Sequence, residues 1–107
     1  MSRNIPKLSV HRLSWPTDWH ALFDASGQAR PMILEIGFGY GHFLRHLSAR
    51  HPDAHIIGLE IDLLSLRKAE GAIERGELAN VRVAYGRAEA ALHHNFTPQS
   101  LDAVYVN

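Results

Sequence analysis

Three glycines and two carboxylates stand in this chain in an order that suits ligand binding. Met32-Ile33-Leu34-Glu35-Ile36 is a short apolar run of β-formers broken by one acid, and Gly37-Phe38-Gly39-Tyr40-Gly41 follows it at once. Glycines on alternate positions take backbone angles closed to other residues and let a ligand approach the main chain. Phe43, Leu44 and Leu47 then recur at helical spacing. The stretch predicts a strand, a tight loop and a helix N-terminus. The free N–H groups and positive dipole end of that helix favour an anionic group, phosphate or carboxylate, close to Gly39 and Gly41.

A second strand, Ala54 to Glu60, ends in the other acid. Glu60 lies about twenty residues beyond the glycine loop, the spacing at which a carboxylate at the tip of a second strand receives two ribose hydroxyls. Dinucleotide sites use G-x-G-x-x-G, whose third glycine allows close packing beneath a pyrophosphate. Here Gly41 comes one place early and His42 stands at that third position, which argues against a nicotinamide-dependent oxidoreductase. S-adenosylmethionine has no pyrophosphate; it offers a ribose to Glu60, a carboxylate to the loop amides and a cationic amino-acid end. A carboxylate within Leu34-Glu35-Ile36 is costly to bury unpaired. Two partners suit Glu35: the cation of such a cofactor, or a hydrogen bond from its own loop.

Several elements must position these groups. The 107 residues suffice for one small domain, 46% hydrophobic side chains can build its core, and the absence of cysteine rules out disulfides and thiolate metal sites. No apolar run approaches the ~18 residues of a membrane span, and Met1 to Leu13 lacks the apolar centre of a signal peptide; a cytoplasmic protein without membrane contact is the expectation. Eleven basic and eleven acidic residues balance, so composition lends no support to autonomous RNA binding.

Residues 1–30 read as an N-terminal arm, extended and frayed over Ser2 to Leu13, followed by a short helix through Trp19, Leu22 and Phe23 that Ser14 to Asp18 would start. Residues 31–107 read as the ligand-binding unit. Its first helix closes near Arg50. His42 and His46 share a face but lack the glutamate of H-E-x-x-H, because Phe43 holds that place, so no metal site is expected. After Glu60, Asp62 or Ser65 can cap a helix that turns Leu64, Ala69, Ala72 and Ile73 inward and stops at Gly76. Ile61 can pack on a base or join the core. Val81 to Tyr85 forms a third strand, Gly86-Arg87-Ala88-Glu89 a crossing loop before a short helix to His93, and Leu101 to Val106 a fourth strand. Alternating strands and helices call for a parallel sheet with right-handed crossovers. Its fourth strand has an open edge carrying Val104 and Val106, suited to self-association or to docking a partner.

Leu34-Glu35-Ile36-Gly37-Phe38-Gly39-x-Gly41-x-Phe43-Leu44, Gly58-Leu59-Glu60-Ile61 and Asn80-Val81-Arg82 resemble the bacterial tRNA (guanine-N7-)-methyltransferases, class I enzymes dependent on S-adenosylmethionine. The likeness runs from about Trp15 to Asn107 and includes Trp19-x-Ala21-Leu22-Phe23. It implies a Rossmann-like sheet of order 3-2-1-4 and a cofactor held by Glu35, Gly37, Gly39, Gly41, Glu60, Ile61, Arg87, Ala88 and Asn107. It also implies tRNA as partner, for which the basic N-terminal arm would contact phosphates. Arg87 matches a position where the family commonly has an aspartate facing the adenine amino group; arginine has no acceptor, though Glu89 offers one. The family continues past Asn107 into a Pro-Asp-Pro-Trp segment whose aspartate sits at the target base. No catalytic residue is therefore expected within these 107, and the chain alone is expected to bind cofactor weakly or not at all and not to methylate tRNA.

Overall fold

A computed structural model describes residues 6–107; residues 1–5, with Arg3 of the expected basic arm, lie outside the described part. Four runs rich in Val, Ile and Leu become strands: Met32–Ile36 (β1), His55–Glu60 (β2), Val81–Tyr85 (β3) and Ala103–Val106 (β4). They pair in parallel in the order β3-β2-β1-β4. Leu34 is in register with Ile57 on one side and Val104 on the other. Helices His42–Arg50 (α1), Leu63–Glu74 (α2) and Ala88–His94 (α3) make the crossovers. This is the expected strand order.

Both faces of the sheet are covered, which is why β2 is buried along its whole length and apolar between His55 and Glu60. Leu44 and Leu47 of α1 and Leu66, Ala69 and Ala72 of α2 pack with Ile33, Ile56, Val81 and Val83 on one face. On the other, Ala91 of α3 and the N-terminal residues Val10 and Trp19 pack with Leu34, Ile57, Leu59 and Ala84. Each fully buried Leu or Ile adds roughly 1.5–3 kcal/mol relative to leaving it in water.

On α2, Ala69, Ala72 and Ile73 turn inward as expected, but Leu64 does not. Asp62 caps the helix, accepting from the Ser65 N–H at 3.0 Å, and Leu66 goes inward while Leu64 is 79% exposed. Two residues at 100° each separate them by about 200°, so only one of the pair can face the sheet. Phe43 likewise stays at the surface, its ring edge against Tyr105 at 5.0 Å, because Leu44 takes the inward position. Gly76 ends α2 as expected, at φ +79°. Its N–H donates to Ile73 O and that of Glu77 to Ala72 O, the paired bonds of a left-handed helix stop.

The N-terminal segment is not a frayed arm over residues 8–13. The Tyr85 N–H donates to Leu8 O at 2.8 Å, Ser9 bridges Tyr85 in parallel, and Val10 is buried in a 3-10 turn, Val10–Arg12. Gly86 makes room for it: a Cβ there would stand 2.2 Å from Val10 Cγ2. The helix expected through Trp19 is one 3-10 turn, His20–Leu22, at whose start the Asp18 carboxylate accepts from the Ala21 N–H at 3.3 Å; Trp19 is buried just before it, stacked on Phe96.

Candidate functional site

The carboxyl ends of β1, β2 and β4 and the loops that leave them converge at one edge of the sheet. Gly37, Gly39 and Gly41 all adopt positive φ, at +72°, +55° and +85°, angles that cost other residues roughly 1–2 kcal/mol. A Cβ on Gly39 or Gly41 would meet nothing within 4 Å. These two are glycine for their backbone angle, then, and the space above them is open to a ligand. Gly41 is also the N-cap of α1, with no side chain capping it, so the N–H groups of the first turn stay available to an anion.

Phe38 pins the middle of this loop. Its side chain is buried over β2, where only glycine fits: a Cβ on Gly58 would stand 2.7 Å from the Phe38 ring. The loop therefore crosses the top of β2 and meets Glu60. Glu60 Oε1 accepts from the Gly39 N–H at 2.8 Å, while Oε2 accepts from the Ile61 and Asp62 N–H groups at 3.0 Å each. One carboxylate thus joins the glycine loop to the turn that starts α2.

Beside Glu60 lies a cleft of about 170 Å³, lined among others by Gly37, Ile61, Gly86, Arg87, Ala88 and Glu89. Ile61 is 51% exposed at its rim, so the alternative of a core residue does not hold. Arg87 precedes α3 and makes no side-chain cap bond. Gly86, not picked out as a ligand-facing residue from the sequence, closes the cleft floor while its other side receives Val10; a lone glycine just after β3 was its only signal.

Glu35 is fully buried in the middle strand. Its hydrogen-bond partner is not its own loop: Oε2 accepts from the Asn107 side-chain amide, which also donates to Gly37 O at 3.3 Å. Oε1 has no partner among the described residues. Burial pushes the Glu35 carboxyl above the usual glutamate range; the Asn107 bond works against that shift, and the negative charge of Glu60 adds to it. Asn107 reaches this position because its own N–H continues the ladder, donating to Ile36 O at 3.1 Å.

Asn80 and Arg82 hold the framework instead. The Asn80 amide donates to His51 O at 2.9 Å and to Ser48 O, and Arg82 Nε donates to Leu22 O at 3.1 Å. Among the described residues no group of three or more His, Cys, Asp and Glu side chains could hold a metal ion, and no helix is long and apolar enough to cross a membrane.

Known proteins share this arrangement. A protein family described as "Putative methyltransferase" matches residues 29–107. The chain is 39% identical to the tRNA (guanine-N(7)-)-methyltransferase of Thermus thermophilus over 92% of its own length and 30% of that protein's. It is 37% identical to the enzyme of the same name from Thermotoga maritima, over 87% of its length and 29% of the relative's. It thus spans about a third of these curated relatives. Among solved structures, S-adenosylmethionine-bound CalS10, an amino pentose methyltransferase from Micromonospora echinaspora, superposes with a TM-score of 0.51 at 26% identity, covering 84% of this chain and 34% of that one. With a match over most of its length and with this loop and strand order, the chain belongs to that methyltransferase family, alongside bacterial proteins named tRNA (guanine-N(7)-)-methyltransferase.

Proposed function

We propose that the carboxyl edge of this sheet binds S-adenosylmethionine and that the chain is the cofactor-binding part of an enzyme that methylates N7 of a guanine in tRNA. The observation that carries the reading is Glu35: a fully buried carboxylate beside the glycine loop with one donor and one oxygen left without a partner among the described residues. An unpaired buried carboxylate is costly unless a cation completes it. The cationic amino-acid end of S-adenosylmethionine has that charge, and the names of the relatives above support this choice.

The remaining assignments follow the geometry. A carboxylate has about four acceptor sites, and backbone N–H groups fill three on Glu60. One ribose hydroxyl can join it directly; a second displaces one of these donors, and Gly39 sits on the loop that can yield. Gly37, Gly39 and Gly41 leave the main chain accessible, with Gly41 opening α1 toward the ligand's carboxylate. Ile61 offers an apolar rim to the adenine, Arg87 and Ala88 border the cleft, and Glu89 supplies an acceptor for the adenine amino group. Asn107 holds Glu35 in place and works against the rise that burial imposes on its pKa.

When bound, the cofactor supplies an electrophilic methyl group. Guanine N7 carries a lone pair, so its attack requires alignment and not a general base; no catalytic residue is assigned among these 107. We place the enzyme in the cytoplasm, where its tRNA substrate is. Isothermal titration with S-adenosylhomocysteine tests the reading. Measurable heat in the wild-type chain that disappears in Glu60→Ala is the expected result; equal heat in both would sink it, as would protection by NADH in its place.

The open β4 edge favours a second role. Val104 and Val106 are 45% and 71% exposed, and an apolar strand edge invites strand addition. Self-association through it predicts a light-scattering mass of a dimer that Val106→Lys returns to monomer.

A further inference from the structure

The chain carries no net charge, yet α2 sorts its charges to opposite sides. Glu70 and Glu74 turn toward the N-terminal segment, where the Lys7 backbone N–H donates to Glu70 Oε2 at 2.9 Å and the Lys7 ammonium pairs with Glu74. Lys68 and Arg75, seven residues and hence two turns apart, line a groove of about 380 Å³ between α1 and α2, together with Arg45 of α1. Its lining holds apolar side chains such as Leu44 and Leu78 and, among the described residues, no carboxylate. Glu77 stands beside it and fixes the two guanidinium groups, at 3.2 Å from Arg45 Nη2 and 2.7 Å from Arg75 Nε. Each arginine is held by one nitrogen, which leaves further N–H donors to point elsewhere.

One end of the groove opens at Tyr40 and Gly41, in the glycine loop itself. Tyr40 is 79% exposed, and Lys68 Nζ lies 5.8 Å from its ring centre. An exposed aromatic ring next to a row of cations is the combination by which single-stranded nucleic acid is held: cations on the phosphates, a ring face for a base. Glu70 and Glu74 face away from this row, and the single carboxylate at its margin, Glu77, offsets only one of the three cations.

We propose that the α1–α2 groove holds the phosphodiester backbone of an RNA, through Arg45, Lys68 and Arg75, with Tyr40 stacking on an unpaired base. The proposal rests on the reading of the chain as part of an RNA methyltransferase and adds the route by which the strand approaches the glycine loop. Free polyphosphate shares the charge recognition but has no base for Tyr40.

Fluorescence anisotropy of a labelled tRNA transcript titrated with the purified chain at low salt tests it. The expected result is binding that Lys68→Glu/Arg75→Glu weakens at least tenfold, with a shallower salt dependence, and that Tyr40→Ala weakens about fivefold or more. Arg30→Glu/Arg50→Glu, the same charge change outside the lining of the groove, serves as control, and circular dichroism melting establishes that each variant is folded; Lys68→Ala replaces the double reversal if that one does not fold. Equal loss in groove and control variants, or no tRNA binding by the wild type, overturns the proposal. Polyphosphate that competes as well as tRNA, with no effect of Tyr40→Ala, overturns the assignment to nucleic acid. S-adenosylhomocysteine heat measured on the same samples separates the two readings: a groove without RNA but with intact cofactor binding leaves the methyltransferase site standing, whereas tRNA binding without cofactor heat does the reverse.

Discussion

Glu35 and Glu60 are acids near the carboxyl ends of neighbouring parallel strands, both almost inaccessible to water, and they are satisfied in opposite ways. Glu60 accepts from three backbone N–H groups, which come from its own turn and from the adjacent loop; local chain geometry completes it before any ligand arrives. Glu35 sits lower in the sheet, where all nearby N–H groups are engaged in strand pairing, and receives one side-chain donor from 72 residues away. Burial raises the pKa of Glu35. Depth in the sheet, and not residue type, thus decides which acid is a finished structural joint and which is left short of charge.

Breaking Glu60 tests the first half of that contrast most severely. Glu60→Ala releases Gly39 and the Ile61–Asp62 turn at once, and hydrogen bonds to a charged group are each worth about 1.5–3 kcal/mol. We expect loss of detectable S-adenosylhomocysteine heat and a fall of roughly 3 kcal/mol or more in urea-unfolding stability. Unchanged stability would mean that the loop holds itself.

Glu35→Gln should act in the other direction on the two observables. Removing a buried, incompletely paired charge leaves the ligand-free fold as stable or about 1 kcal/mol more stable at neutral pH, while cofactor affinity falls about tenfold. A variant that loses stability and keeps affinity would reverse the assignment.

The pH dependence sharpens the contrast. Because the Glu35 pKa is raised in the fold, its contribution to stability is fully present below the ordinary glutamate value of 4.5 and is lost as pH rises through the higher folded value. His55 titrates with the opposite sense. It is buried at the start of β2, stacked on Phe23 at 4.1 Å with its Nδ1 2.7 Å from that of His20. Burial, with the charges of His20, Arg30 and Arg82, lowers its pKa below 6.5. Its stabilisation is present above pH 6.5 and is lost as pH falls through the folded value. Urea melts of wild type, Glu35→Gln and His55→Phe across pH 4 to 8 separate the two: the Gln variant flattens the loss on the rising side, the Phe variant that on the acid side.

Smaller effects should come from the neighbours. Asn107→Ala removes the one donor to Glu35 and should cost about 1 kcal/mol at neutral pH, vanishing in a Glu35→Gln background if the two act as a pair. Asp62→Ala removes the α2 cap, worth ~1 kcal/mol; an accompanying loss of cofactor heat would show that the cap, as well as Glu60, sets the ribose turn.

Much of this edge was legible in the sequence because it is local. Three alternate glycines after an apolar run specify positive-φ backbone by residue type alone, and Glu60 ends its strand where an acid must face the loop. That the sheet is parallel followed from the alternating elements, and the order of its strands from the family likeness. What could not be read depends on distance or on phase. The bond from Asn107 to Glu35 spans nearly the whole chain. Val10 packs only because Gly86, 76 positions on, has no side chain, so a segment of modest hydrophobicity is buried where isolated composition suggested fraying. On α2, Leu64 and Leu66 compete for one inward position, and the sheet, not the helix pattern, chose Leu66. The basic groove stayed hidden for a related reason: a balanced charge count cannot reveal that a helix has carried its acids to one side.

The ring of Phe38 over Gly58 bears on how quickly a ligand can be captured. A glycine-rich loop free to wander must be ordered at each encounter, and that ordering, about 1–2 kcal/mol per residue fixed, weakens binding. With its centre clamped to the sheet and Glu60 already gripping Gly39, this loop spends its freedom before the encounter, during folding. Apart from the Gly39 bond that a second ribose hydroxyl displaces, the receptor then differs little between empty and filled, and discrimination between ligands falls to how long each one stays.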